Sequence, residues 1–178
     1  MKKIAFLIIL CLASVFFAAG CSVMAGSTDL QNETIAGVRL YQAVDISALE
    51  KELGPLTDNQ AIEKGGRAIT FDNPTKYAYI LTDEDNRVVQ ITVGYPSRTG
   101  NTKIETGRGI GSLSSFTDVA KAYGSAYSRY TYHNFMGSGD GYFIKYTDWD
   151  RHVRMEFGFV EDETDGEFFL SNIMMKTF

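Results

Sequence analysis

Hydrophobic positions alternate along much of the chain. In "HVRMEFGFV" (152–160), Val153, Met155, Phe157 and Phe159 alternate with Arg154, Glu156 and Gly158. A period of two places the first set on one face of a strand and the second on the other, so one face is buried. The same reading predicts strands over "RAITFD" (67–72), "KYAYILT" (76–82), "RVVQITVG" (87–94), "GYFIKYT" (141–147) and "EFFLSNIMM" (167–175). The links "NP", "DEDN", "DWD" and "EDETDG" are turn chemistry. A further strand is expected near Ala61–Glu63 and another in "SRYTYHNF" (128–135). There Tyr123, Tyr127 and Tyr130 are helically spaced while Tyr130 and Tyr132 alternate; Gly124 breaks a helix, which favours the strand.

Two stretches carry the other period. "VRLYQAVDISALEKELG" (38–54) aligns without gaps on "RGIGSLSSFTDVAKAYG" (108–124), seventy residues later. Leu40 meets Ile110, Ile46 meets Phe116, Leu49 meets Val119 and Leu53 meets Tyr123. Ser47 and Thr117 fall at one position, and both are good helix N-caps; Ser47 with Glu50 reads as a capping box. Leu49 with Leu53, and Val119 with Tyr123, lie on one helical face, and Gly54 and Gly124 stand where a left-handed C-cap belongs. The expected fold class is α+β. Two tandem repeats are expected, each a short helix followed by a three- to four-stranded antiparallel meander, with the helix on one sheet face. The expected boundaries are unit 1 over 34–95, a connector over 96–105 and unit 2 over 106–178.

The first twenty residues are set apart from the fold. Lys2 and Lys3 precede an apolar run, Ile4 to Phe17, too short for a span of roughly 20 residues. Ala18, Ala19, Gly20 and Cys21 follow; "FAAGC" resembles a bacterial lipobox, although Ala18 stands where Leu is usual. That resemblance implies a signal peptide over 1–20, cleavage before Cys21, a diacylglyceryl thioether on its sulfur, and often an acylated amine (palmitate being a usual chain). The alternative is a plain secretory signal cleaved near Ala19 or Ala25. Residues 21–33 are small, polar and aperiodic, and read as a tether. Of the two cysteines, Cys11 lies in the leader, so the domain beyond Cys21 has no disulfide and no thiolate metal site. Without Lys2 and Lys3, 15 basic residues face 22 acidic ones, a net charge of −7. That balance argues against nucleic acid, and against electrostatic adhesion to anionic lipid beyond the anchor.

A "GI.G.S...V...YG" helix start followed by a meandering sheet, given twice, resembles the tandem β-lactamase-inhibitor-like superfamily. Single-unit relatives of that group include the outer-membrane-assembly lipoproteins of the BamE (SmpA/OmlA) type. The resemblance covers roughly 35–178 and implies the tandem-unit fold. No functional residue of the family has a matching position here.

Candidate chemistry is sparse. Gly107, Gly109 and Gly111 give Gly-x-Gly-x-Gly with Ser112 where a dinucleotide fingerprint has its third glycine; no Gly-Lys-Ser/Thr is present. Glycines that only shape the chain are the alternative to phosphate binding. His133 and His152 lie in no metal-ligand spacing. Glu161, Glu163, Asp165 and Gly166 start like a calcium loop, but its twelfth position is Asn172 and strands flank it, so the stretch reads as a hairpin turn. No catalytic residue, metal or cofactor is assigned. Aromatics crowd the chain from Tyr123 to Trp149, and Tyr127, Tyr130, Tyr132 and Trp149 are the candidate interface. The expected function is a lipid-anchored, extracytoplasmic, non-enzymatic module that binds a protein or peptide through a sheet face. The alternatives are an envelope assembly or structural scaffold, and a small-ligand sensor or hydrolase.

Overall fold

The computed structural model describes residues 26–63, 65–74, 76–95, 104–133 and 139–178. The leader, Cys21 and residues 96–103 of the connector lie outside the described residues. In chain order the elements are α1 (Ile46–Leu53), β1 (Leu56–Ala61), β2 (Arg67–Asn73), β3 (Lys76–Thr82), β4 (Val88–Gly94), α2 (Phe116–Tyr123), β5 (Ser128–Tyr132), β6 (Gly141–Asp148), β7 (Val153–Glu161) and β8 (Phe168–Thr177).

All eight strands belong to one antiparallel sheet, in the order β1-β2-β3-β4-β8-β7-β6-β5. This corrects the expected fold class. The described residues form one sheet-dominated fold with two eight-residue helices, not two tandem helix-plus-meander repeats. The decisive contact is β4 on β8, with Ile91 opposite Met175 and Val93 opposite Ile173. Left at an edge, either strand would present unpaired backbone groups beside an apolar face. Pairing them removes two edges and makes the core continuous.

Cross-strand register builds that core in rows. One row runs Ile69, Ile80, Ile91, Met175, Met155, Tyr146. The next runs Phe71, Ala78, Val93, Ile173, Phe157, Ile144. Every member is buried. Burying one such Ile or Phe contributes about 1.5–3 kcal/mol relative to exposing it. Both helices feed the same core: α1 buries Leu49 and Leu53, and α2 buries Val119 and Tyr123. The Tyr123 ring lies 5.3 Å from Tyr146 and 5.0 Å from Phe157.

Both helices start two residues earlier than their serine and threonine suggest. Asp45, not Ser47, caps α1, and its carboxylate accepts the Ala48 N–H at 3.1 Å. Ser115, not Thr117, caps α2; its hydroxyl accepts the Asp118 N–H at 3.2 Å while the Asp118 carboxylate accepts the Ser115 N–H at 2.8 Å. Ile46 and Phe116 thereby enter the helices as first residues and pack against the core. Their burial selects the upstream caps. Gly54 and Gly124 end the helices at φ of +96° and +87°, a region costly for residues with a Cβ.

The described part of the expected tether, residues 26–33, is held on the sheet. The Thr28 N–H donates to the Thr147 carbonyl at 2.9 Å and the Leu30 N–H to Asp148 Oδ2 at 2.9 Å. Thr28, Leu30 and Glu33 are buried. Polarity suggested a free linker; buried counter-groups elsewhere in the chain hold it down instead.

Candidate binding face

Every strand residue of the hydrophobic core points to the helix side of the sheet. The opposite face carries no helix among the described residues. Its central row runs Asp72, Tyr77, Gly94, Asn172, Gly158, Phe143, Tyr130, one residue from each of seven strands. The two glycines let neighbouring side chains lie close on this surface. A Cβ on Gly94 would come within 2.8 Å of Tyr77 Cδ1, and one on Gly158 within 2.8 Å of Phe143 Cε1. A Cβ on Gly141 would overlap the Tyr132 hydroxyl. Three aromatic side chains thus lie down across three glycines of neighbouring strands. Ring against bare backbone gives a broad aromatic surface and covers the gap that a strand glycine leaves.

Polar groups hold the rings in place. Tyr130 is 42% exposed and stacks on Phe143 at 5.2 Å between centroids. Its hydroxyl donates to Glu156 Oε2 at 2.8 Å. The Tyr132 hydroxyl donates to the Phe159 carbonyl at 3.3 Å, and its ring lies 5.1 Å from Phe143. Burial, then the hydrogen bond and charge of Glu156, push the Tyr130 phenol above its ordinary value. Burial does the same for Tyr132. Burial, then Tyr79 and Asp72, raise Tyr77. All three phenols therefore stay protonated around neutral pH.

Tyr130 and Tyr132 lie on this face. Tyr127 does not: it is half-buried in the core, 5.7 Å from Phe116 and 5.8 Å from Tyr146. Trp149 lies apart at the β6–β7 turn, 5.7 Å from Phe178. The candidate interface is therefore two surfaces and one core residue. Tyr77 and Phe143 were missed. Their signal was a glycine inside a strand pattern, as in "EFGFV", which marks close approach of a neighbour.

The remaining candidates have structural roles. In the glycine stretch the amides are engaged internally: Gly107 with the Thr34 carbonyl at 3.0 Å, Gly109 with the Thr106 carbonyl at 2.9 Å, Ile110 with Thr106 Oγ1 at 3.2 Å. The Gly111 amide donates to Ser114 Oγ at 3.1 Å. These are the donors a phosphate would need. A Cβ on Gly107 would come within 2.9 Å of Glu33 Oε1, so the glycine lets this carboxylate pack closely on the loop. His133 is exposed, with Nδ1 3.0 Å from Asp140 Oδ2. His152 adopts φ +54° in the β6–β7 turn. In the acidic turn, Asp162 Oδ1 accepts the Thr164 N–H and Asp165 Oδ1 the Glu167 N–H, both at 2.9 Å. Gly166 turns the chain at φ +74°. Among the described residues no group of three His, Cys, Asp or Glu side chains is arranged to hold a metal ion, and no helix is long and apolar enough to cross a membrane.

Two concavities lie off this face. One, of about 580 Å³, runs beside α1 and is lined by Asp45, Lys51, Glu52, Lys76 and Glu105. The other, of about 330 Å³, lies between Tyr41 and Arg151, over Leu30 and Met175.

No family model and no curated protein matches the chain. Among solved structures, the chain is similar to a cysteine-rich secretory protein from Staphylococcus aureus subsp. aureus Mu50. The identity is 10% and the TM-score 0.44, over 77% of this chain and 44% of that one. The chain therefore spans less than half the length of that protein, and a likeness at this level leaves function to the residues themselves.

Proposed function

We propose that this chain is a lipid-anchored, extracytoplasmic binding module that holds a protein or peptide against the uncovered face of its sheet, without catalysis. The observation that carries the reading is the row of Tyr77, Phe143 and Tyr130 on the side of the sheet away from the core, with Tyr132 beside it. Aromatic rings that are pre-oriented by packing give up little side-chain entropy on binding, and Tyr supplies both apolar area and a donor. The lipobox-like "FAAGC" supports the anchor and its compartment.

Position-specific cross-linking in intact cells tests the face. A photoreactive phenylalanine analogue at position 77 or 130 is expected to trap the same partner. The same group at position 113, an exposed site in the loop before α2, is expected to trap none. Adducts that form equally at all three positions, or only at 113, would sink the reading. A mass spectrum of Cys21 from isolated membranes tests the anchor: free thiol there removes it.

A further inference from the structure

One end of the sheet carries three exposed aromatics that lie outside the core. Trp149 is 53% exposed, Phe178 47% and Tyr41 49%. Trp149 follows the last residue of β6, and Phe178 follows the last residue of β8. The Tyr41 N–H donates to the carbonyl of Val88, the first residue of β4, at 2.7 Å. Antiparallel register brings these three strand ends together, since Gln90 is opposite Lys176 and Asp148 opposite Val153. Trp149 meets Phe178 edge to face at 5.7 Å, and the Arg154 guanidinium sits 5.1 Å over the Phe178 ring.

The N-terminal segment joins the domain at this same end. Ser27 Oγ accepts the Trp149 backbone N–H at 3.2 Å, and the Thr28 N–H donates to Thr147. Residues 27–30 are thus fixed beside Trp149. Cys21 is five residues before Gly26, so the chain between them spans at most about 18 Å. The sheet itself is much longer: the ten residues of β8 extend about 33 Å. A lipid on Cys21 must therefore lie close to the Trp149 end, and the opposite end, at Tyr132 and Gly141, stands away from it.

The geometry points to Trp149, with Phe178 and Tyr41, as an interfacial anchor that seats this end of the domain on the bilayer to which Cys21 is attached. Trp and Tyr favour the membrane–water boundary, where the ring is apolar and the polar edge stays wet. The net negative charge of the domain offers little electrostatic attraction, so aromatic contact is the means available. Seated this way, the sheet stands off the membrane with its open face free to bind. This inference rests on the lipid-anchor reading proposed above.

The chain carries a single tryptophan, so Trp149 reports directly. Residues 21–178, which contain every described element, are coupled through the Cys21 thiol to a maleimide-headgroup lipid in phosphatidylcholine vesicles bearing brominated acyl chains. Trp149 emission is expected to shift to the blue and to be quenched relative to the uncoupled protein. Phe178→Asp is expected to reduce the quenching with an unchanged far-ultraviolet circular dichroism spectrum. A Trp149→Phe, Tyr77→Trp variant, with its probe on the open face, is expected to show no quenching. Unchanged Trp149 emission on coupling overturns the inference, as does quenching at position 77 without quenching at 149, which would lay the open face on the lipid. Free thiol at Cys21 in protein from cell membranes removes the anchor reading instead, and the two failures are distinguishable.

Discussion

The carboxylate of Glu33, whose side chain is 2% exposed, accepts an ion-pair contact from Arg108 Nε at 3.0 Å. The two residues come from the N-terminal segment and the glycine stretch, seventy-five positions apart in sequence. The same guanidinium donates to the Ala122 carbonyl at 3.0 Å and the Asp29 carbonyl at 2.6 Å. It also lies 4.7 Å over the Tyr123 ring. One arginine thus ties residues 29–33 to the end of α2.

Removing that arginine strands a buried carboxylate. Arg108→Met is expected to lower stability by about 3 kcal/mol, the lower end of the range for breaking a buried pair, because Arg108 is itself partly exposed. Glu33→Gln in the same background is expected to recover part of the loss. Urea unfolding of the two single variants and the double variant gives the coupling.

Acid is expected to loosen the N-terminal segment through Asp148. Its side chain is 1% exposed. Burial by itself raises a carboxyl pKa, but the N–H groups of Leu30 and Arg151 and the Arg151 guanidinium outweigh it and hold Asp148 below its ordinary value. A depressed folded pKa means that the unfolded chain binds more protons near the ordinary carboxylate pKa of about 3.9. The stabilisation is therefore complete above that pH and is lost as pH falls through the folded value. Thermal melts between pH 3 and 6 are expected to show a shallower acid limb for Asp148→Asn than for wild type, from a lower plateau.

The strand glycines are expected to differ in tolerance according to what each meets. At Gly141 an added methyl overlaps the Tyr132 hydroxyl and the Phe159 carbonyl oxygen, and that carbonyl is fixed in the sheet. At Gly158 it meets the Asn172 amide at 2.7 Å and the Phe143 ring at 2.8 Å. At Gly94 the nearest atoms it meets all belong to the Tyr77 ring, a partly exposed side chain that can shift at less cost than backbone. Overpacking costs of about 1–3 kcal/mol apply. Denaturant midpoints are expected to fall in the order Gly141→Ala most, then Gly158→Ala, then Gly94→Ala. Gly94→Ala is also expected to weaken partner capture at position 77, where the ring is displaced.

The cap assignment separates two neighbouring hydroxyls. Ser115→Ala removes the α2 cap and is expected to cost about 1 kcal/mol. Thr117→Ala, inside the helix and exposed, is expected to stay within about 0.5 kcal/mol of wild type. Equal losses would return the cap to Thr117.

Short-range patterns were enough to locate the strands from Arg67 on and the C-terminal ends of the helices, whereas β1 lies at Leu56–Ala61 rather than near Ala61–Glu63, because its polar "LTDNQA" carries no hydrophobic alternation. Period-two stretches from Arg67 to Met175 became strands, and Gly54 and Gly124 ended both helices, because alternation, turn residues and positive φ are local properties of a few adjacent residues. Only the tertiary structure decided that β4 lies beside β8 and turns the expected pair of units into one sheet. Alternation tells which face of a strand is buried, and it is silent about the neighbour. The same holds for residues 27–33, polar in composition yet docked, because Arg108, Asp148 and Arg151 supply counter-groups from seventy or more residues away. Tyr130 and Tyr132 were legible as a shared face from their spacing. Tyr77 and Phe143 joined them only when cross-strand register laid their rings over Gly94 and Gly158, since a glycine becomes a platform only by virtue of what is packed on it.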